Sequence, residues 1–370
     1  MRKRLLGRTG LQISELAFGG GVTGGILIDA DEATRHAALA RAVAAGINWI
    51  DTAPVYGNGA SEETIGRHLG SLSPQPHVST KVRLEAEDLG DIAGAIERSL
   101  EMSLRRLKSD RLTLLQLHNH LGEGVGARRA GERSERPARP LEVRAPDTRP
   151  EAGSSARIAL RPAQVLGRGG VADTFDRLRQ QGLVRAVGLT VAGDTKACLE
   201  VIGSGRFDTA QVYYNAINPS AAWQRLPAGW RGGQDFCGVL AACLRHTMGV
   251  LNIRVWAGGV LASPARPARL FVMTADTDAD NEVRCAAAVR AALASEATSS
   301  ARAALDDAYG SPAQAALRFA LGNKEFATRV FGITAIAQLE EALAALALGP
   351  LPAAAIARVD ALWRGGFGTG

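Results

Sequence analysis

The sequence predicts an α/β protein built as a (β/α)8 barrel, the TIM-barrel class, and three observations carry that reading. Short apolar, strand-like runs alternate with helical stretches along most of the 370 residues, the signature of parallel βαβ units. The strands number eight. Polar residues able to do chemistry stand at or just beyond the ends of successive strands, the face on which such barrels carry their sites. Asp51 follows Ile50, Tyr56 comes five residues later, Lys81 closes the run from His77, and His118 follows Leu117.

The elements follow in order. Residues 1 to 14 alternate around the turn Gly7, Arg8, Thr9 and Gly10, a hairpin expected to close the barrel bottom. Residues 15 to 19 read as extended, 31 to 45 as helical with Gly46 as the stop, and 47 to 51 as extended. A helix is expected over 61 to 69 with Ser61 as its N-cap, then a strand over 78 to 81, a helix from about 91 to 107 and a strand over 112 to 118. The rhythm resumes with a helix over 171 to 181, a strand over 186 to 190, a helix over 195 to 202 and a strand over 209 to 213. The last predicted units are 236 to 247, 249 to 256, 311 to 321, 329 to 332 and 337 to 346.

The chain exceeds the ~250 residues of a bare barrel, so one domain over 1 to 370 with an insertion is expected. Residues 123 to 165, after the fourth strand, are rich in Arg, Pro, Gly and Glu, without an aromatic ring and with almost no periodicity. Such a stretch buries too little apolar area to offset its ordering entropy, which predicts a mobile insertion loop. The segment from 264 to 300 is loop-like in its middle.

Net charge is +6, and nearly all of the excess lies between residues 128 and 168, where ten arginines face five acids. That cluster lacks the interleaved aromatic rings of a nucleic-acid stacking surface, so no nucleic-acid partner is expected. No apolar run approaches the ~18 residues of a membrane helix, and the interrupted start after Arg2, Lys3 and Arg4 is unlike a signal-peptide core. A cytosolic protein with no membrane partner is expected. Cys198, Cys237, Cys243 and Cys285 form no Cys-x-x-Cys pair, which predicts buried reduced thiols and no metal.

The strand-end residues compose one site. A phenol with an ordinary pKa of ~10 is a poor acid or base near neutrality, but an ammonium beside it, held by a carboxylate, favours the phenolate. Tyr56, Lys81 and Asp51 supply those groups, and the His118 imidazole can hold a carbonyl or hydroxyl oxygen against the phenol. A lysine ending a buried strand is costly without a carboxylate partner, which independently argues for the Asp51 pairing. His120 reads as a loop or substrate-side residue. The glycines at 19 to 21 and at 24 and 25 lack the spacing and immediate helix of a Rossmann fingerprint.

In the segments 7 to 14, 51 to 57, 61 to 66, 79 to 82, 115 to 118 and 211 to 215, taken in order, the sequence resembles the aldo/keto reductase family. The resemblance runs from residue 1 to about 122 and from about 165 to 350. It implies a nicotinamide-dependent oxidoreductase with Asp51, Tyr56, Lys81 and His118 as the catalytic set, acting on a small carbonyl, alcohol or sugar. It further implies that Gln211 and Thr190 contact the nicotinamide carboxamide. Ile253, with Arg254 beside it, stands where many members place an aromatic ring under the nicotinamide; Trp256 would reach that face only from a bulged strand.

Gly332, Gln338 and Glu341 fall in the cofactor region after the eighth strand, with Gln338 where NADP-preferring members carry an arginine. Glu340 and Glu341 add negative charge there, so NAD is expected over NADP unless Arg329 or an arginine of the insertion substitutes. The stretches 214 to 220 and 253 to 255 look most like the branch of aldose and galactose 1-dehydrogenases. The alternative from another class is a catalytically silent, cofactor-binding regulatory barrel.

Overall fold

The computed structural model describes residues 1–122, 158–265, 278–294 and 309–368. Strands β1 (Lys3–Leu5) and β2 (Gln12–Ser14) form the antiparallel N-terminal hairpin, with Lys3 opposite Ser14. After them come β3 (Leu16–Gly19), β4 (Trp49–Asp51), β5 (His77–Val82), β6 (Leu112–Leu117), β7 (His120–Leu121), β8 (Ala159–Leu160), β9 (Val184–Thr190), β10 (Thr209–Tyr213), β11 (Gly249–Ile253) and β12 (Thr328–Phe331). All but β7 and β8 of these later strands close into one parallel barrel in the order β3, β4, β5, β6, β9, β10, β11, β12.

The helices are α1 (Ile26–Asp29), α2 (Glu32–Ala44), α3 (Ala60–His68), α4 (Ile92–Leu107), α5 (Pro162–Leu166), α6 (Val171–Gln180), α7 (Thr195–Gly203), α8 (Val239–Arg245), α9 (Ala279–Leu293), α10 (Pro312–Gly322), α11 (Ile336–Leu348) and α12 (Ala353–Arg364). No single described helix is long and apolar enough to cross a membrane.

The barrel interior is filled by Trp49, Ala17, Leu114, Ala186, Leu251 and Val330. The hairpin joins that cluster through Leu6, Leu11 and Ile13, so it plugs the bottom as its pattern predicts. Arg8 locks the plug: its guanidinium donates to Asp208 Oδ1 at 3.0 Å and to the Phe207 carbonyl at 2.7 Å. The larger core lies between strands and helices.

Parallel register brings the polar positions to one level. Asp51 pairs with Ser79 and with Gly19, Lys81 with Gln116, Gln116 with Gly188, and Gln211 with Thr190. Residues 79 and 81 share a face because strand side chains alternate.

Four expectations change. Ser61 is not a cap: α3 starts at Ala60 after Gly59, and the Ser61 hydroxyl is buried, accepting from Thr52 Oγ1 at 2.8 Å. The insertion is shorter than 123 to 165 at its far end. Ile158 is buried, β8 pairs in parallel with β7, and α5 follows, because Ile158, Leu160 and Val165 are apolar enough to anchor on the core. The part from 123 to 157 lies outside the described residues. The strand expected over 249 to 256 stops at Ile253, because Arg254 adopts a left-handed φ of 61°. Of the cysteines, Cys198, Cys243 and Cys285 are buried, but Cys237 is only half-buried.

Candidate active site

Asp51 ends β4 and its carboxylate is saturated. Oδ2 accepts from Lys81 Nζ at 2.6 Å, and Oδ1 accepts from Ser79 Oγ at 2.7 Å, Gln211 Nε2 at 2.7 Å and Gln116 Nε2 at 3.1 Å. Lys81, one residue before the end of β5, is 1% exposed. Its ammonium also donates to the Thr52 carbonyl at 2.8 Å and to the Tyr56 hydroxyl at 3.3 Å. Burial pushes the lysine pKa down, but the attraction of Asp51 and Tyr56 outweighs it and leaves Lys81 above its ordinary value. The buried cation is compensated by three acceptors, one of them the charged Asp51 carboxylate.

Tyr56 sits half-buried on the turn between β4 and α3, its backbone fixed by Tyr56 N to Ala53 O at 3.1 Å and Ser61 N to Tyr56 O at 3.3 Å. His118 follows β6 directly, and its amide donates to the Val82 carbonyl at 2.8 Å. Its ring meets the Tyr56 ring edge-on, centroids 5.9 Å apart at 89°. Asn119 clamps the neighbouring loop by exchanging two 2.8 Å hydrogen bonds with the Leu84 backbone.

These groups open on a cavity of about 250 Å³ at the C-terminal mouth of the barrel. Asp51, Tyr56, His118, Thr190, Gln211, Ile253, Arg254 and Gly332 line it, as does His120, and Lys81 lies beneath. The glycine run has a packing reason rather than a phosphate-loop one: a Cβ on Gly24 would lie 2.7 Å from the Gly332 Cα, and one on Gly21 would sit against the Tyr56 ring at 3.6 Å. Among the described residues, Thr190 Oγ1 and Arg254 Nε are buried without a hydrogen-bond partner. Arg254 keeps one long ion pair to Glu282 at 3.4 Å. Trp256 reaches the cavity from the turn after Arg254, its indole nitrogen donating to Ala313 O at 2.9 Å.

Two predicted cofactor residues stand apart from the cavity wall. Gln338 Oε1 accepts from Thr334 N at 2.7 Å in the first turn of α11, and Glu341 accepts from Ser311 Oγ. Glu340 is paired with Arg41 at 2.6 Å, so its charge is largely neutralised. Arg329 does not substitute for the missing arginine: it is fully buried under α10, donating to the carbonyls of Ala320 at 2.9 Å and Phe326 at 3.2 Å. Burial pushes its pKa down to about 10.

Sequence reasoning passed over Ser79, Gln116 and Trp49. The available signals were the two-residue spacing of Ser79 from Lys81 and the single polar residue in the apolar run from Leu114 to Leu117.

A family model described as the aldo/keto reductase family matches residues 15–364. The chain belongs to the aldo/keto reductase family. Over 119 residues it is 34% identical to L-galactose dehydrogenase of Arabidopsis thaliana, covering 31% of this chain and 37% of that protein. It is 37% identical over 124 residues to a probable voltage-gated potassium channel subunit beta of Oryza sativa subsp. japonica, covering 32% and 37%. The chain thus spans 37% of the length of each of these two relatives. The solved aldo-keto reductase AKR11C1 from Bacillus halodurans, in its holo form, superposes with a TM-score of 0.64 over 98% of this chain and 96% of that one, at 19% identity. That likeness establishes the barrel fold for this aldo/keto reductase.

Proposed function

We infer that this chain is a nicotinamide-dependent oxidoreductase that interconverts a small carbonyl compound, an aldehyde, ketone or sugar lactone, with the corresponding alcohol or hemiacetal. The observation that carries the reading is the buried relay from Asp51 through Lys81 at 2.6 Å to the Tyr56 hydroxyl at 3.3 Å, opening on a cavity beside His118.

The cavity wall fits a dinucleotide. The orphaned Thr190 hydroxyl suits a carboxamide, and the orphaned Arg254 Nε suits an anionic phosphate. Gln211 directs its Nε2 to Asp51, which leaves its Oε1 to accept a carboxamide N–H. When bound, the dinucleotide supplies or takes up the hydride. Tyr56 donates its proton to the oxygen of a carbonyl undergoing reduction, and takes a proton from the hydroxyl in oxidation. Lys81 stabilises the phenolate that results, Asp51 keeps Lys81 charged, and His118 orients the reacting oxygen.

Similarity to L-galactose dehydrogenase supports oxidation at a sugar hemiacetal within this class. The absence of an arginine at Gln338 supports NAD as the preferred cofactor. Similarity to a potassium channel subunit beta supports the second reading, a cofactor-binding barrel without turnover. A screen of sugars and aldehydes for change in the 340 nm absorbance of NAD(H) and NADP(H) separates the two: turnover that disappears in Tyr56→Phe supports the enzyme. Tight cofactor binding with no turnover across the panel supports the regulatory barrel.

A further inference from the structure

Asp51 receives more hydrogen bonds than one ion pair requires. Lys81 occupies Oδ2, while Ser79, Gln116 and Gln211 all converge on Oδ1. Two of these donors lie in the barrel interior below the cavity wall, and the surrounding structure fixes their direction.

Ser79 Oγ accepts from Trp49 Nε1 at 2.9 Å. An indole N–H is only a donor, so the serine hydroxyl proton must point elsewhere. Its choices are the Asp51 carboxylate at 2.7 Å and the Ile50 carbonyl at 3.4 Å, and the shorter contact to a charged acceptor wins. Trp49 therefore aims Ser79 at Asp51.

Gln116 is fully buried, and its Oε1 has no partner among the described residues. A leucine, like Leu115 and Leu117 beside it, would avoid that unsatisfied carbonyl. Turning the amide over would bring Oε1 against a carboxylate oxygen, so Nε2 must face Asp51. Gly188, its partner in register on β9, leaves it room: a Cβ there would stand 3.3 Å from Gln116 Cγ.

We propose that Trp49, Ser79 and Gln116 form a positioning layer beneath the site, which holds the Asp51 carboxylate in place and thereby sets the pH at which Tyr56 exchanges its proton. The inference rests on the reading of Tyr56 as the proton-transfer group. Each donor draws carboxylate charge away from the phenol. With one removed, the carboxylate acts on Tyr56 less compensated and pulls Lys81 toward itself, and both changes disfavour the phenolate. Besides Asp51 and Lys81, the charged or titratable groups facing Tyr56 across the cavity are His118 and His120 after β6, Arg83 after β5 and Arg254 after β11, and the test leaves them unchanged.

The experiment compares wild type with Gln116→Leu, Ser79→Ala, Trp49→Phe and Tyr56→Phe. One readout is the pH profile of kcat/KM on the best carbonyl from the screen. The other is tyrosinate absorbance against pH in the apoprotein, where the chain has only four tyrosines and subtraction of Tyr56→Phe isolates that ring. Gln116→Leu and Ser79→Ala should move both curves to higher pH by about half a unit to one unit, and Trp49→Phe by less in the same direction. Ser79→Thr, which keeps the hydroxyl, should restore the wild-type curves. A purely structural role would lower Tm and leave both curves in place; unmoved curves in Gln116→Leu and Ser79→Ala, with Tyr56→Phe inactive, would overturn the inference. An active Tyr56→Phe would instead overturn the reading beneath it. Should Gln116→Leu fail to fold, Ser79→Ala, which only removes an oxygen, decides alone.

Discussion

At the scale of single residues, the Tyr56 hydroxyl is expected to exchange the proton with substrate and not to hold the cofactor. Tyr56→Phe should therefore lower kcat by ~10²–10⁴ while the cofactor Kd stays within a few fold; a variant keeping more than about a tenth of wild-type kcat would rule Tyr56 out as proton donor. On the proposed reading, cofactor choice turns on Gln338. A 2′-phosphate there would lack a guanidinium, forgoing charge-assisted hydrogen bonds worth ~1.5–3 kcal/mol each. Gln338 and Glu341 are the groups left to act on that phosphate, since Arg41 pairs with Glu340 and Arg329 is buried elsewhere. NAD should be used with the higher kcat/KM, and Gln338→Arg should shift the ratio toward NADP. The ratio is the right measure, because the substitution also removes the 2.7 Å bond that Gln338 makes to Thr334 N. A native preference for NADP of about tenfold or more contradicts the assignment.

At the scale of elements, the insertion tests how far the barrel depends on its loops. Its flanks are fastened on both sides: β7 pairs with β8, Gly122 N donates to Leu160 O at 2.9 Å, and Asp194 N donates to Leu121 O at 2.7 Å. Residues 127 to 155 lie between those fasteners and outside the described residues. Replacing them with a short Gly/Ser linker should leave Tm nearly unchanged, since halving a loop's length alters its closure entropy by only ~0.6 kcal/mol. A large fall in Tm would mean that the segment packs on the barrel. An unchanged Tm with altered KM would assign it a part in substrate binding.

At the scale of the whole molecule, the buried Asp51–Lys81 pair ties stability to alkaline pH. Lys81 is raised above 10.5 in the folded state, so the pair's contribution is complete below that pH and is lost as pH rises through the folded value. Urea unfolding near pH 8 and near pH 11 should show a loss of stability in wild type that the double variant Asp51→Asn/Lys81→Met lacks. Equal losses in both proteins would place the alkaline sensitivity elsewhere. The single variant Lys81→Met is a poorer probe, because it leaves the buried Asp51 carboxylate without its counter-charge, a change that typically costs about 3–5 kcal/mol.

The sequence by itself determined the barrel, its hairpin plug and the identity of the strand-end groups. Alternation of apolar runs with helical stretches is a local property, and so is the position of Asp51, Lys81 and His118 at the ends of their strands. Helix starts were legible to within a residue where an aspartate or serine caps: Asp31, Asp91 and Ser311 each accept a backbone amide of the first turn. Ser61 failed as a cap because its hydroxyl answers to Thr52, nine residues back, through a contact that exists only after β4 and α3 pack. The tertiary structure alone decided which side chains serve Asp51. Gln116 and Gln211 come from β6 and β10, and neither composition nor spacing reveals that strand register levels them with a carboxylate on β4. It also decided that Arg329 faces carbonyls under α10 and that Arg254 faces the cavity. In the sequence Arg254 falls inside the run expected over 249 to 256 and Arg329 opens the run expected over 329 to 332; what separates them in the structure is that β11 ends at Ile253 and puts Arg254 in a left-handed turn at the mouth, whereas Arg329 lies near the opposite end of β12.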